Sequence, residues 1–265
     1  MKQLLIVCTL FVQVMLIGQE KYRTSDFNLH EKTHISEQVV YSIQEGTKKW
    51  EQTKTYYFYN TYLDSIVVES KNSKEIITYN YTIDNCLKAI VTKNVTSETE
   101  DKKEFFYDRS LRLLKTKEYV QGREFKEAVY SYDTNNKLFE IVTKEKGFNT
   151  FEIVTFNYSD ANHYTKTSKS FEGKKMVEIQ VENYKDDLIE KGVYQIFDLK
   201  NKVLYKHDKM RNLIFEQIDE EEPTVYKYEY DVQGNPIKIT ISNAGNPYVN
   251  SEIVIKNTYS DFKTN

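Results

Sequence analysis

Rings two residues apart punctuate this chain at nearly even intervals, and the segments between them alternate apolar and polar positions. Taking the second residue of each pair as a phase mark gives Tyr59, Tyr81, Tyr107, Tyr132, Tyr158, Tyr184, His207 and Tyr230, spaced 22 to 26 residues apart. An aromatic stands two residues earlier in seven of these eight copies (Tyr57, Tyr79, Phe105, Tyr130, Phe156, Tyr205 and Tyr228); Glu182 is the exception. Residues i and i+2 share one face of a strand, so each pair predicts a strand with both rings on the same side.

Asp108, Asp133, Asp208 and Asp231 directly follow their marks, where a carboxylate bonds the backbone two residues on and opens a turn. Four residues after the mark come Asn85, Asn136, Asn162 and Gly234, types that tolerate a left-handed backbone. Fifteen residues after it come Gly122, Gly147, Gly173 and Gly245. Leu87, Leu113, Leu138 and Leu213 open the intervening segments, which carry β-branched runs such as Ile141-Val142-Thr143. Each unit therefore reads as two strands of about eight residues with a turn at each end. Strand twist of roughly −20 to −25° per neighbour makes a long meander roll. The fold class expected is all-β: an antiparallel meander of about eight β-hairpin repeats over 51–265, forming a curved, rolled sheet or partial shell. No segment sustains a helical period, so helix is minor and confined to the region before residue 50.

The first residues change the compartment. Lys2, an apolar stretch from Leu4 to Ile17 broken by Thr9 and Gln13, and then Gly18 predict a signal peptide over 1–18. The run is shorter than the roughly 17–25 apolar residues of a spanning helix, so no transmembrane segment is expected after cleavage. Residues 19–50 then lead into the array. The expected location is secreted, periplasmic or cell-surface. Cys86 is the one cysteine of the mature chain, which rules out an internal disulfide and leaves stability to the β core. Aromatics at 14% argue for a folded chain. With 37 basic against 40 acidic residues, no electrostatic footprint for nucleic acid exists.

The pattern Tyr-x-Tyr-Asp-x-x-Gly/Asn, at Tyr228–Ile237 and Tyr130–Leu138, resembles the YD repeats of the RHS-repeat family. The resemblance runs from about residue 55 to the C-terminus, and the copies at Tyr132 and Tyr230 lie nearest the pattern. It implies hairpins winding into a shell on extracellular or envelope proteins, which in large members encloses a toxin or forms part of adhesion receptors.

Candidate chemistry is sparse. His30-Glu31-Lys32-Thr33-His34 spells HExxH, which on a helix places two imidazoles one turn apart for Zn²⁺. Lys32 and the position ahead of any flanking domain favour an exposed segment, so His30 and His34 stand as metal candidates only. No catalytic residue and no cofactor is assigned. Tyr107, Tyr130, Tyr132, Tyr158, Tyr228 and Tyr230 are candidate ligand-binding aromatics, offering apolar faces with hydroxyl tips to a glycan or envelope protein, although packing is the favoured reading of them. On that favoured reading they pack the interior of the shell. His163, His207 and Cys86 read as packing residues, and Asp219-Glu220-Glu221-Glu222 as a solvated turn. The function expected is a non-catalytic exported repeat protein, a binding or structural module at the cell envelope. The alternatives are a metal-dependent hydrolase using His30 and His34, and a fragment or partner of a toxin-delivery shell.

Overall fold

A computed structural model describes residues 22–27, 29, 31–44, 46–160 and 162–259. The residues 1–18 that predict a signal peptide, and His30, lie outside them. The strands are β1 (Thr33–Gln44), β2 (Thr47–Tyr59), β3 (Tyr62–Ser70), β4 (Lys74–Tyr81), β5 (Leu87–Asn94), β6 (Thr99–Tyr107), β7 (Leu113–Val120), β8 (Arg123–Tyr132) and β9 (Leu138–Glu145). They continue as β10 (Thr150–Tyr158), β11 (His163–Glu172), β12 (Lys175–Lys185), β13 (Leu188–Ile196), β14 (Leu199–His207), β15 (Leu213–Ile218), β16 (Thr224–Tyr230), β17 (Pro236–Asn243) and β18 (Ser251–Tyr259).

Each strand pairs antiparallel with the next, and β18 pairs with β1 from Thr33↔Tyr259 to Ser42↔Ser251. The sheet is a closed barrel of eighteen strands. The all-β, antiparallel expectation holds. The rolled sheet or partial shell of about eight repeats does not, and the reason is local. β1 carries no ring pair, and Tyr259 comes 29 residues after Tyr230, outside the regular spacing. Periodicity therefore missed β1 and β18, and these two strands close the ring. Helix is confined to 3-10 turns at Thr24–Phe27 and Pro247–Val249; the second falls outside the expected N-terminal region.

The first repeat also slips by one residue. Tyr56 pairs with Ile66 and Phe58 with Leu63, on the buried face, whereas Tyr57 and Tyr59 are exposed at 37% and 69%. Four consecutive rings, Tyr56 to Tyr59, leave parity undecided in sequence, and a one-residue shift moves every side chain to the other face.

The turns after the ring pairs follow one design. Asp108 Oδ1 accepts from the N–H groups of Ser110 (2.8 Å) and Arg112 (3.0 Å). Asp133, Asp208 and Asp231 repeat the arrangement. Asn85, Asn136 and Gly234 take positive φ in these turns, as do Gly122, Gly147 and Gly173 at the opposite end of the barrel. The two rims are therefore a tyrosine end, which also receives both described termini, and a glycine end.

Following partners around the ring separates two faces. One carries Phe58, Phe105, Val154, Phe156, Val203, Tyr226, Ile239 and Ile255, all buried. This is the inward face. Buried apolar residues form three separate clusters, each along neighbouring strands, so the wall lacks one continuous core. Eighteen strands at about 4.8 Å spacing give a perimeter of roughly 86 Å, too long for side chains of opposite walls to meet in a round barrel.

Candidate functional site

The inward face is the candidate site, and its two halves differ. Toward the tyrosine end it is aromatic and aliphatic, and a repeated bond locks the rings. Tyr81, Tyr107 and Tyr132 donate their hydroxyls to the carbonyls of Leu63, Leu87 and Leu113, each at 2.9 Å. Tyr158 does the same to Leu138 at 3.0 Å, and Tyr228 to Leu213 at 3.0 Å. The donor sits on the strand that follows the leucine's own, so each bond ties two neighbouring strands together at the tyrosine end. Tyr230 donates to Asp208 and receives a bond from Asn212 at 2.7 Å. Tyr130 packs on the cluster of Leu87, Phe105 and Leu113. All six proposed ligand-binding tyrosines thus line the inner wall, half-buried, and Tyr107, Tyr132, Tyr158, Tyr228 and Tyr230 hold their hydroxyls on the protein itself.

The chain's own leading segment covers part of this end. Tyr22 meets Tyr79 at 5.0 Å between ring centres, and Phe27 meets Tyr56 and Phe58. Leu29 joins the cluster of Phe58, Leu63 and Ile66. Backbone bonds from Leu63 N to Tyr22 O and from Thr24 N to Thr61 O fix it there.

At mid-wall and on toward the glycine end the inward face carries charge. Lys103 pairs with Glu118 (3.3 Å) and Lys126 with Glu145 (3.2 Å). Lys54 lies between Gln38 of β1 and Val68 of β3. Burial alone holds its ammonium below the usual lysine range.

A third ion pair occupies the one place where the repeat lacks its first ring. Glu182 is buried; its Oε2 accepts from Lys166 (3.0 Å) and Tyr184 (3.1 Å), and its Oε1 from Tyr194 (2.9 Å). Tyr194 and Tyr205 hydroxyls lie 3.0 Å apart, and Tyr184 stacks on Tyr164. Burial pushes the Tyr184 and Tyr194 phenols well up, and Glu182 adds to it, so both stay protonated donors. The Tyr194 ring lies over Gly192, where a Cβ would sit 2.7 Å from Tyr194 Cε2. The network satisfies the buried carboxylate and leaves no activated nucleophile.

Sequence reasoning gave no role to Lys54, Lys166, Glu182, Gly192 or Tyr194. Two signals were readable. Glu182 is the break in the ring series, and Gly192 is a glycine away from every turn phase. His34 lies exposed on β1 and Glu31 in the turn before it, so the helical spacing an HExxH site needs is not present. Among the described residues no group of His, Cys, Asp and Glu could hold a metal. Cys86 is buried and unpaired, and Asp160 holds His163 in its turn.

No family model and no curated protein matches the chain. Among solved structures, a porin-like protein from Bacteroides uniformis is similar to it with a TM-score of 0.48 at 12% identity, over 85% of this chain and 98% of that one. The expected function is corrected here. A ring closed by β1 and β18 is a barrel and not an open array of hairpin repeats, which overturns the exported repeat module and the toxin-shell fragment. The hydrolase alternative loses its helix.

Proposed function

We propose that the barrel is a water-surrounded container for a single-chain amphiphile, held in the lumen with its chain toward the tyrosine end. The observation that carries this is the polarity of the two faces. Lys102, Lys117, Lys191, Lys202, Lys227 and Lys256 stand on the outward face near mid-strand. A lysine at the lipid-facing midplane of a barrel costs about 2–4 kcal/mol. Six such residues would cost roughly 10–25 kcal/mol, as much as the whole stability of a typical fold. A wall surrounded by water carries no such penalty.

The inner wall supports the same reading. Val40, Val68, Ile77, Ile90, Ile141 and Ile253 point inward and remain only partly buried. Apolar surface left facing a lumen gains about 25 cal/mol per Å² when an alkyl chain covers it. The export that residues 1–18 predict would place this container in the cell envelope.

The test is purification of the chain without detergent, followed by titration with decyl maltoside below its micellar concentration. A monomer in plain buffer that binds the decyl chain supports the reading. A chain recovered only in detergent, which conducts ions across a planar bilayer, refutes it.

A further inference from the structure

Among the described residues four lysines project from mid-wall into the lumen, and three of them are neutralised: Lys103 by Glu118, Lys126 by Glu145 and Lys166 by Glu182. Among the described residues Lys54 has no carboxylate partner. Its cross-strand neighbours on this face are Gln38 and Val68, and its neighbours along β2 are Gln52 and Tyr56. None bears a negative charge. An unpaired ammonium on a half-buried wall is unfavourable unless something compensates it.

The surroundings say what that is. Val68 lies directly across from Lys54, and toward the tyrosine end the wall continues as Tyr56, Ile77 and Tyr79, which lie partly buried against Leu29, Phe58, Leu63 and Ile66. A positive point thus sits at the head of an apolar bed, with Gln38 and Gln52 beside it as neutral hydrogen-bonding groups. Resting on the container reading above, we infer that Lys54 is the head-group site of the lumen and that the cargo is an anionic single-chain amphiphile of the fatty-acid class, its carboxylate on the Lys54 ammonium and its chain along the partly exposed Val68, Ile77 and Ile90, beside the part of the wall that the leading segment covers. Charge-assisted bonds of an ammonium to a carboxylate are the strong member of their class. Burial alone depresses the free amine's proton affinity, so an arriving carboxylate supplies the counter-charge the wall lacks.

The experiment compares three decyl probes of equal chain length on the full chain by calorimetry, each below its micellar concentration: decanoate, decyltrimethylammonium and decyl maltoside. Decanoate is expected to bind at least about tenfold tighter than decyltrimethylammonium. Lys54→Met should weaken decanoate about tenfold and leave decyl maltoside unchanged, while Lys54→Arg should keep the preference. Lys54→Gln serves as the second neutral variant, and the probe comparison on the unaltered chain needs no variant at all. Equal affinity for all three probes, or a preference that survives Lys54→Met, overturns the Lys54 assignment and leaves the container standing. Failure of every decyl probe to bind sinks the container reading itself.

Discussion

Gly192→Ala is the sharpest probe of how the inner wall is assembled. The added Cβ would lie 2.7 Å from Tyr194 Cε2 and 3.0 Å from its Cζ and Oη, closer than real Cβ contacts come. The ring must leave, and with it go the bond to the Glu182 carboxylate (2.9 Å) and the contact with the Tyr205 hydroxyl (3.0 Å). A bond to a charged acceptor contributes about 1.5–3 kcal/mol and a neutral one about 0.5–1.5. Replacing a mid-strand glycine returns roughly 0.5–1 kcal/mol through lower unfolded-state entropy. The net expectation is a loss of about 2–3 kcal/mol, read as a lower midpoint in equilibrium urea unfolding. The same substitution in a Tyr194→Ala background meets no ring and should be neutral or slightly stabilising. The two changes therefore couple by about 2–4 kcal/mol in a double-mutant cycle. Equal cost in both backgrounds would show that Gly192 matters for some reason other than the ring above it.

Three further outcomes follow from the same geometry. Tyr132→Phe removes the hydroxyl bonded to Leu113 O and should lower stability by about 1 kcal/mol, with Tyr107→Phe and Tyr158→Phe alike, since the three are equivalent; urea midpoints differing widely among them would contradict that equivalence. Gly234→Ala places a Cβ where nothing lies within 4 Å but φ is +84°, so its loss of about 1–2 kcal/mol is purely conformational and shows in the melting temperature. The Arg112 backbone N–H, together with its guanidinium and the Ser110 N–H, holds the Asp108 carboxyl below the usual range, and the Lys48 ammonium does the same for Glu252. A depressed folded-state value means stability that is present above the unfolded value near 4 and lost as pH falls through the folded one. Unfolding midpoints should therefore drop below about pH 4, and Asp108→Asn should flatten that slope.

Much of the local structure was legible because it depends on neighbours in sequence. Paired rings at i and i+2 gave strands of the right length. Asp108, Asp133, Asp208 and Asp231 gave the turns, and Asn136 and Gly234 the left-handed positions within them. Tyr107, Tyr132 and Tyr158 stand in equivalent places on successive hairpins. The first repeat shows where such reading stops: four rings in a row satisfy either parity, and contact with Leu63 and Ile66 selects Tyr56 and Phe58. The candidate site was less legible. Lys54 looks like any other lysine until its partners Gln38 and Val68 are known, and these come from strands on either side of it.

The sequence by itself determined an antiparallel β protein with a hairpin about every two dozen residues, since alternation, turn chemistry and glycine placement act over a few bonds. Only the tertiary structure decided that the meander closes, because closure depends on β1 meeting β18 across more than two hundred residues, and no local pattern encodes that pairing. Closure in turn gave each strand an inside and an outside. That division sets Lys54 against an apolar wall, Glu182 within a ring of donors, and Lys102, Lys117 and Lys202 on the outward face.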